Sequence, residues 1–271
     1  MSETNSFLKE IIKTSNDIWT KGWAERNAGN ISVRLDTEEL HCNFNNKSPW
    51  QKLSRQLPGI GGDYFLVSGT GKYIRNIPVD PEASLGIIEV DKSGENYRTV
   101  WGYKDGGRPT SELAAHLQAH SVRKNMTNGR DRALIHTHPA NLIALTYALE
   151  LDTCSLTRLL WEMHAECIVV FPEGVEFLPW MMAGSDQIAD ATAEAFRKRN
   201  MVVWQYHGIF ATGDDLDTAF GLIDTVEKAA EIHIKVMSLG GCKQKPSIDT
   251  LRAIAANFGK VPAPDIIDRL V

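Results

Sequence analysis

Two histidines in one short segment are the first residues of this sequence that could do chemistry. His136 and His138 flank Thr137, directly after the apolar run Ala133–Ile135, and Pro139 ends the segment. In a β-strand, residues i and i+2 point to the same face, so both imidazole rings would project from one side. The spacing indicates a chelating pair for a metal ion. The alternative is that hydrogen bonds inside a core satisfy both histidines.

A third histidine completes the predicted ligand set. His207 follows the apolar run Met201–Trp204 and precedes Gly208, which lets the backbone approach a crowded site. Three neutral imidazole nitrogens suit Zn²⁺ and leave a coordination position for substrate, whereas calcium and magnesium prefer oxygen ligands. The sequence therefore predicts one zinc ion held by His136, His138 and His207. The other histidines show no paired partner and are predicted to be structural or solvent-facing: His41, His116, His120, His164 and His233.

A carboxylate at a predicted helix start is the candidate acid/base. Glu112 follows Thr110 and Ser111, and hydroxyl groups at such a position accept from free backbone N–H groups or hold a phosphate. A capping box needs Glu or Gln three residues after the cap, where Leu113 or Ala114 stands. Simple capping therefore does not account for Glu112. The local sequence leaves a helix cap, a phosphate site and an acid/base role open.

A glycine-rich turn suggests an anion site of a limited kind. In the segment Ser68–Lys72, a Walker phosphate loop would need Gly where Leu66 stands and Ser or Thr where Tyr73 stands. The dinucleotide pattern fails at Ile74, where its third glycine belongs. What remains for Gly69–Gly71 is either a small nest of backbone N–H groups around one phosphate or a plain turn. Because no Gly-x-Ser-x-Gly element occurs, covalent acyl chemistry has no visible nucleophile and metal-assisted chemistry is left.

Composition narrows the class of protein. The 271 residues are 43% hydrophobic and 23% charged, with a net charge of −5, as in an ordinary globular protein. The basic residues are scattered, which argues against nucleic acid as a partner. No apolar stretch reaches the roughly 18 residues of a membrane span, and the first residues lack the zones of a secretory signal. Four widely spaced cysteines form no C-x-x-C pair, which suits a reducing cytoplasm.

The elements that must position these residues alternate between helical and strand patterns. Residues 41–62 carry no periodicity and are predicted to be a loop, and residues 1–271 are predicted to form one α/β domain that begins with a helical segment. Its sheet is expected to be largely antiparallel or mixed and to be covered by helices. The predicted strands are Ile31–Leu35, Tyr64–Val67, Leu85–Val90, Tyr97–Trp101, Ala133–Ile135, Cys167–Phe171 and Met201–Trp204; the predicted helices cover residues 7–19, 111–120, 141–149, 156–163, 185–199, 216–237 and 248–258.

Five motifs, taken in order and spacing, resemble the class II aldolase family of sugar phosphates, and the match covers most of the chain. The resemblance implies a three-layer α/β fold, a small-molecule sugar phosphate as substrate, and reversible retro-aldol cleavage of a ketose phosphate between C3 and C4 by a zinc-dependent lyase. The motifs are Asn27–Asn30, Gly69–Lys72, Thr110–Glu112, His136–His138 and His207–Gly208, and Trp161–Pro172 and Phe220–Thr225 resemble one branch of the family.

The resemblance also implies a role for each site residue. Zinc would be bound by the three histidines already named, and Glu112 would exchange the proton at the reacting carbon. Asn27 would lie beside the substrate's hydroxyls. Glu166 would reach across from a neighbouring subunit of a cyclic homotetramer, in which the active sites lie at the subunit interfaces. The phosphate would be held by Asn30, Thr70, Gly71, Thr110 and Ser111. Two departures from the family pattern are Ala28 in place of Gly and Thr70 in place of Ser.

Three other functions compete with this prediction. A sibling aldolase or a 4-epimerase acting on another ketose phosphate would use the same zinc and the same bond cleavage, but an epimerase would rejoin the fragments. A metal-dependent hydrolase would need further carboxylate ligands, and no Asp-bearing strand end supplies them. A non-catalytic sugar-phosphate-binding or scaffold protein would bind without turnover.

Overall fold

The structure is a computed structural model that describes residues 4–36, 40 and 47–270. The helices are α1 (Thr4–Thr20), α2 (Pro81–Ser84), α3 (Leu113–Met126), α4 (Ala140–Ala148), α5 (Thr153–Met163), α6 (Cys167–Val170), α7 (Asp186–Ala195), α8 (Leu216–Ser238), α9 (Ile248–Asn257) and α10 (Pro264–Ile267). The strands are β1 (Asn30–Leu35), β2 (Gln51–Lys52), β3 (Tyr64–Ser68), β4 (Leu85–Val90), β5 (Asn96–Gly102), β6 (Ala133–Thr137), β7 (Glu176–Leu178), β8 (Met201–Trp204) and β9 (Gly208–Gly213).

All nine strands of the described residues join one sheet in the order β2-β5-β4-β3-β1-β6-β9-β8-β7. Neighbouring strands run antiparallel except β7 and β8, which are parallel. In the central register, Asn30 of β1 lies opposite His136 of β6, and Thr137 lies opposite Ile209 of β9. The start of β1, the end of β6 and the start of β9 therefore meet at one edge of the sheet.

Helices cover both faces of the sheet, as the alternation along β6 shows. Ala133 and Ile135 belong to the larger hydrophobic core, which also contains residues of α1, α5, α8 and α9. Leu134, between them, points to the opposite face and packs in a cluster with residues of α3 and α7. The prediction of a three-layer α/β fold around a largely antiparallel sheet is confirmed.

The predicted strand at residues 167–171 is wrong, because this segment is the short helix α6. The backbone amides of Val170 and Phe171 donate to the carbonyl groups of Glu166 and Cys167. These local bonds occupy the amides that a sheet would need. Burial also fails to alternate, since Cys167 and Ile168 are both buried. The apolar, β-branched composition suggested a strand, but the strand that pairs with β8 is β7, which was not predicted, and neither was β9.

The remaining elements lie close to their predicted places. The hairpin of β4 and β5 is confirmed, with a register shift between Ile87 and Ile88. In the predicted loop 41–62, residues 41–46, including His41 and Cys42, lie outside the described residues, and the rest contains β2 and a 3₁₀ turn at Pro58–Ile60.

The cysteines of the described part, Cys154, Cys167 and Cys242, are free. In the same part of the chain, no helix has the length and apolar character that crossing a membrane requires. The single-domain boundary stays a prediction.

Candidate active site

A small polar cavity of about 160 Å³ opens at the sheet edge where β1, β6 and β9 meet the first turn of α3. It brings together ten of the eleven predicted site residues. Only Glu166 is missing from its wall. The lining residues are Asn27, Gly29, Asn30, Gly69, Thr70, Gly71, Thr110, Ser111, Glu112, His136, His138 and His207.

The three predicted metal ligands converge through their Nε2 atoms. Nε2 of His136 lies 3.3 Å from Nε2 of His207 and 3.3 Å from Nε2 of His138. The donor atoms of the three residues all lie within 4.8 Å of one another. At most one of these two contacts can be a hydrogen bond, because Nε2 of His136 and Nε2 of His138 both present lone pairs when their protons lie on Nδ1. A cation shared by the three nitrogens would account for both contacts.

The other ring nitrogens fix which atom faces the centre. Nδ1 of His136 donates to the carbonyl of Ile209 over 3.0 Å, and Nδ1 of His138 donates to Oε1 of Glu25 over 2.9 Å. With the proton on Nδ1, each neutral ring presents a lone pair at Nε2. The His136 ring is further held by stacking on Phe210, with centroids 4.1 Å apart. Both rings are therefore oriented before any ion arrives.

Burial keeps two of the three rings neutral, which is the state that a metal ligand needs. It lowers the pKa of His136 well below the ordinary value, and the neighbouring His138 and His207 lower it further. Burial also lowers the pKa of His207, to about 4. The rings of His136 and His207 are therefore available as neutral donors across the physiological pH range.

The donor set fits zinc. Zn–N bonds of about 2.0–2.1 Å place tetrahedral ligand atoms about 3.3–3.4 Å apart. The two Nε2–Nε2 distances of 3.3 Å agree with that edge. Three nitrogen ligands also leave a fourth position, as catalytic zinc sites do. The residues can thus hold a divalent transition metal with room for a substrate oxygen.

Gly208 is needed at its position because of close packing. A Cβ atom there would lie 2.4 Å from the carbonyl oxygen of Thr137 and 2.9 Å from the His138 ring. Its neighbour Tyr206 adopts a positive φ of 64° in the tight connection between β8 and β9, which turns His207 toward the cavity. The prediction that Gly208 permits close approach at a crowded site is confirmed.

Glu112 lies beside the histidines, at the N-cap position of α3, and its side chain makes no capping hydrogen bond. Its Oε2 is 3.6 Å from Nε2 of His136, and its Oε1 is 3.8 Å from Nε2 of His207. Oε2 accepts a hydrogen bond of 2.8 Å from the Asn30 amide. Burial raises the pKa of Glu112, although that hydrogen bond acts in the opposite direction. The carboxyl group is therefore placed and tuned to exchange protons near the histidine cluster.

Four of the five predicted phosphate residues, Thr70, Gly71, Thr110 and Ser111, line the cavity wall, while the side chain of the fifth, Asn30, bonds to Glu112 and His116. The backbone amides of Gly69, Thr70 and Lys72 donate to carbonyl groups of the protein, and among the described residues this leaves the Gly71 amide of that turn for a ligand. The Thr110 hydroxyl accepts from the Glu112 amide over 3.3 Å. A nest of consecutive free amides is thus not formed by this turn alone, and Thr70, Thr110 and Ser111 contribute hydroxyl groups to the same wall.

The turn Asn27–Asn30, which leads into β1, requires glycine at position 29 and not at position 28. Gly29 has a φ of 75°, and a Cβ there would lie 3.1 Å from Ile74 and 3.2 Å from the His136 carbonyl oxygen. Ala28 has no positive φ. Alanine in place of glycine at position 28 is therefore compatible with the turn that presents Asn27 and Asn30.

Glu166 is exposed at the start of α6 and does not line the cavity of its own chain. Its predicted role across a subunit interface stays a prediction.

Sequence reasoning missed several partners of the site. Glu25 holds His138, as described above. His116 and His120, predicted to be structural or solvent-facing, are buried and structural: both bond to Ser32, and His116 also bonds to Asn30. Their spacing from Glu112, at i+4 and i+8 on one helix face, was the signal available.

A three-layer α/β protein with three convergent histidines and a buried carboxylate at one sheet edge has the site of a metal-dependent enzyme. Residues 9–234 match the family model described as Class II Aldolase and Adducin N-terminal domain. The chain belongs to this family and is a class II aldolase.

Named relatives and solved structures are similar over nearly the whole chain. The chain is 49% identical to rhamnulose-1-phosphate aldolase of Pectobacterium atrosepticum and 47% identical to that of Escherichia coli (strain K12 / DH10B), each over 94% of both chains. Among solved structures, a sugar-phosphate aldolase from Thermotoga maritima has a TM-score of 0.76 and 31% identity over 88% of this chain and 97% of its own. An L-fuculose-1-phosphate aldolase from Thermus thermophilus, covered over 88% and 97%, has a TM-score of 0.59 and 21% identity, which shows a shared fold.

Proposed function

We propose that this chain catalyses the reversible cleavage of L-rhamnulose 1-phosphate into glycerone phosphate and L-lactaldehyde, with one Zn²⁺ per chain and Glu112 as the acid/base. The printed names of relatives that are 47–49% identical over 94% of the chain support the choice of substrate. The site observation that carries the chemistry is the placement of the Glu112 carboxylate 3.6 Å from the convergent histidine nitrogens.

The three histidines would hold the zinc ion, which supplies Lewis-acid stabilisation of the negative charge that develops on substrate oxygens. The wall formed by Thr70, Gly71, Thr110 and Ser111 supplies hydroxyl and amide donors for the phosphate group. Binding the phosphate at a distance from the reacting carbons fixes C3 and C4 relative to Glu112.

Glu112 handles the proton at C3. As the C3–C4 bond breaks, the C4 hydroxyl gives its proton to the carboxylate of Glu166 from a neighbouring subunit, and C4 becomes the aldehyde carbon of L-lactaldehyde. The bonding electron pair stays with the glycerone phosphate fragment, and C3 takes a proton from Glu112. In the reverse direction, Glu112 removes that proton. Burial raises the pKa of Glu112 above its ordinary value, which makes its protonated form easier to populate for proton donation to C3.

Activity assays with one variant test the proposal. The purified chain is incubated with L-rhamnulose 1-phosphate, and both products are quantified with and without a chelator. We expect the chelator to abolish turnover and zinc to restore it. Glu112→Gln should lower kcat by about 100-fold or more while zinc content stays unchanged. Glu150→Gln, at an exposed site outside the cavity, is the matched control. Chelator-insensitive turnover, or full activity of Glu112→Gln, would contradict the mechanism.

The same assay separates the sibling reactions. An aldolase accumulates free aldehyde, whereas a 4-epimerase returns a stereoisomeric ketose phosphate and releases none. L-Fuculose 1-phosphate and L-ribulose 5-phosphate serve as competing substrates. Preferential turnover of either would replace the proposed substrate and keep the proposed chemistry.

We also propose that the chain acts in the cytoplasm as a cyclic homotetramer, in which Glu166 of a neighbouring subunit handles the proton of the aldehyde oxygen. Exposure of Glu166 outside its own cavity supports this arrangement. Light scattering coupled to size exclusion would measure the assembly, and a stable, active monomer would contradict it.

A further inference from the structure

A zipper of five polar side chains runs from the active site into the protein interior between α3 and β1. Glu112, His116 and His120 lie at i, i+4 and i+8 of α3, while Asn30 and Ser32 lie at i and i+2 of β1. Four residues of a helix rise about 6 Å and two residues of a strand rise about 6.6 Å. Every fourth residue of α3 therefore lies level with every second residue of β1. The side chains therefore alternate in the order Glu112, Asn30, His116, Ser32, His120.

Each neighbouring pair in this zipper is hydrogen-bonded. The Asn30 amide nitrogen lies 2.8 Å from Oε2 of Glu112, and the Asn30 carbonyl oxygen contacts Nε2 of His116. The Ser32 hydroxyl lies 2.6 Å from Nδ1 of His116 and 2.7 Å from Nε2 of His120. All five side chains are buried, and Ser32 and His116 are fully inaccessible to solvent. Water therefore cannot substitute for a lost partner at little cost.

When Glu112 is ionised, its carboxylate sets the direction of every bond in the zipper. A carboxylate only accepts, so Asn30 must donate to it through Nδ2 and must accept through Oδ1. His116 then carries its proton on Nε2 and accepts at Nδ1 from the Ser32 hydroxyl. Ser32 has a single proton, so it accepts from Nε2–H of His120. Both histidines must be neutral for this order, and burial lowers the pKa of His116 to about 3 and also lowers the pKa of His120.

We infer that Ser32, His116 and His120 are positioning residues that fix the orientation of the Asn30 amide and, through it, the carboxylate of Glu112. With Oε2 held by Asn30, Oε1 is the oxygen that remains for proton exchange with substrate. Without the Ser32 hydroxyl, His116 is free to move its proton to Nδ1. Nε2 of His116 then no longer donates to the carbonyl oxygen of Asn30, and no hydrogen bond from His116 fixes the orientation of the Asn30 amide. A rotated amide would direct its oxygen at the carboxylate and repel it. This inference rests on the proposed role of Glu112.

The test is a double-mutant cycle with two catalytic readouts. Ser32→Ala, Asn30→Ala and the double variant are compared with the wild-type chain for cleavage of L-rhamnulose 1-phosphate. Exchange of solvent deuterium into glycerone phosphate is followed by NMR as a separate measure of proton transfer. We expect Ser32→Ala to lower kcat and the exchange rate by about tenfold, because the hydrogen bond from the Asn30 amide to the charged carboxylate of Glu112 is no longer held in place, with KM little changed. In the Asn30→Ala background the same substitution should have almost no further effect.

A matched control separates positioning from general loss of stability. Thr212→Val removes another buried hydroxyl of the sheet, which bonds to the carbonyl of Ala133 and lies away from the cavity. It should lower the melting temperature without lowering kcat. His116→Gln keeps an N–H donor for Asn30 and should retain more of the exchange rate than His116→Leu, which has none.

The outcomes distinguish this inference from the proposed function. If the wild-type chain neither cleaves the substrate nor exchanges deuterium, the proposed function falls and the inference falls with it. If the wild-type chain is active but Ser32→Ala matches it, the inference alone is overturned. Equal losses from Ser32→Ala in both backgrounds would also overturn it, because the effect would then not pass through Asn30.

Discussion

At the scale of single residues, the nitrogen that faces away from the cluster decides how well each histidine can hold a metal. His136 bonds through Nδ1 to a backbone carbonyl that no side-chain substitution removes. His138 depends on the carboxylate of Glu25, which is itself largely exposed. The hydrogen bond to His138 lowers the pKa of Glu25 against the opposing effect of burial. Glu25 is therefore the hydrogen-bond partner of the histidine cluster that a side-chain substitution can remove.

Glu25→Gln should weaken zinc binding about 10- to 100-fold, because the carboxylate no longer fixes the His138 tautomer or strengthens its donor nitrogen. Competition with a chromogenic chelator would measure the change in affinity. Glu150→Gln should bind zinc like the wild-type chain. An unchanged affinity in Glu25→Gln would show that His138 is oriented without its carboxylate partner.

The buried His116 makes stability depend on pH. Its pKa falls to about 3 on folding from an unfolded value of about 6.5, so the unfolded chain binds the extra proton between these values. Stability from this residue is therefore present above pH 6.5 and is lost as pH falls toward 3. Between pH 7 and pH 5 the loss is about 2 kcal/mol. Urea unfolding of the metal-free chain at both pH values would show it, and His116→Gln should reduce the difference by a similar amount.

At the scale of elements, a carboxylate from one helix caps another. Helix α4 begins directly after Pro139, which offers no capping side chain. Glu227 of α8 accepts instead from the backbone amides of Asn141 and Leu142, over 3.0 and 2.9 Å, and from the Asn141 side chain. The carboxylate thus satisfies free amides at the positive end of the α4 dipole. It also ties the segment that follows His138 to the longest helix of the described chain.

Glu227→Ala should destabilise the chain by about 2–3 kcal/mol, because it leaves buried amides without an acceptor. The partly exposed Glu231 on the same helix pairs with Lys228 and Lys235, and Glu231→Ala should destabilise the chain much less, because water screens these ion pairs. Thermal and urea unfolding of both variants would measure the contrast. Equal losses would mean that Glu227 acts only as a surface charge.

The sequence predicted features that depend on local spacing and missed those that depend on register. His136 and His138 were found because a strand places i and i+2 on one face, and His207 because a glycine follows it. Ser32 and His116 are 84 residues apart, and their contact requires α3 to lie over β1 in one register. Short apolar segments were the least predictable elements. The segment 167–170 has strand-like composition but forms helical hydrogen bonds within itself. The glycines at both ends of β9 made an interior strand of the sheet hard to predict.

At the scale of the whole molecule, the exposed surface includes large aromatic and apolar side chains, and one of them adjoins a predicted metal ligand. Tyr206, next to the predicted ligand His207, is exposed and packs on the exposed Tyr147 with ring centroids 4.5 Å apart. Trp180 and Met182 are exposed as well. Exposed aromatic and apolar groups of this kind mark surfaces that another protein covers. They support the proposed assembly with active sites at subunit interfaces.

If each active site combines Glu112 of one subunit with Glu166 of its neighbour, two inactive variants should restore activity when they assemble together. A site built within a single chain could not show this restoration. Glu112→Gln and Glu166→Gln should each be nearly inactive when expressed alone. When both are co-expressed in equal amounts, a site is intact wherever a Glu166→Gln subunit supplies Glu112 and its neighbour, a Glu112→Gln subunit, supplies Glu166. Random assembly of a cyclic oligomer restores about a quarter of wild-type activity in this way. The control is co-expression of the double variant with Glu166→Gln, in which every site lacks Glu166 and activity should stay at the background level. If the mixed single variants also stay at background, Glu166 acts within its own chain. If Glu166→Gln is active when expressed alone, Glu166 has no part in the reaction.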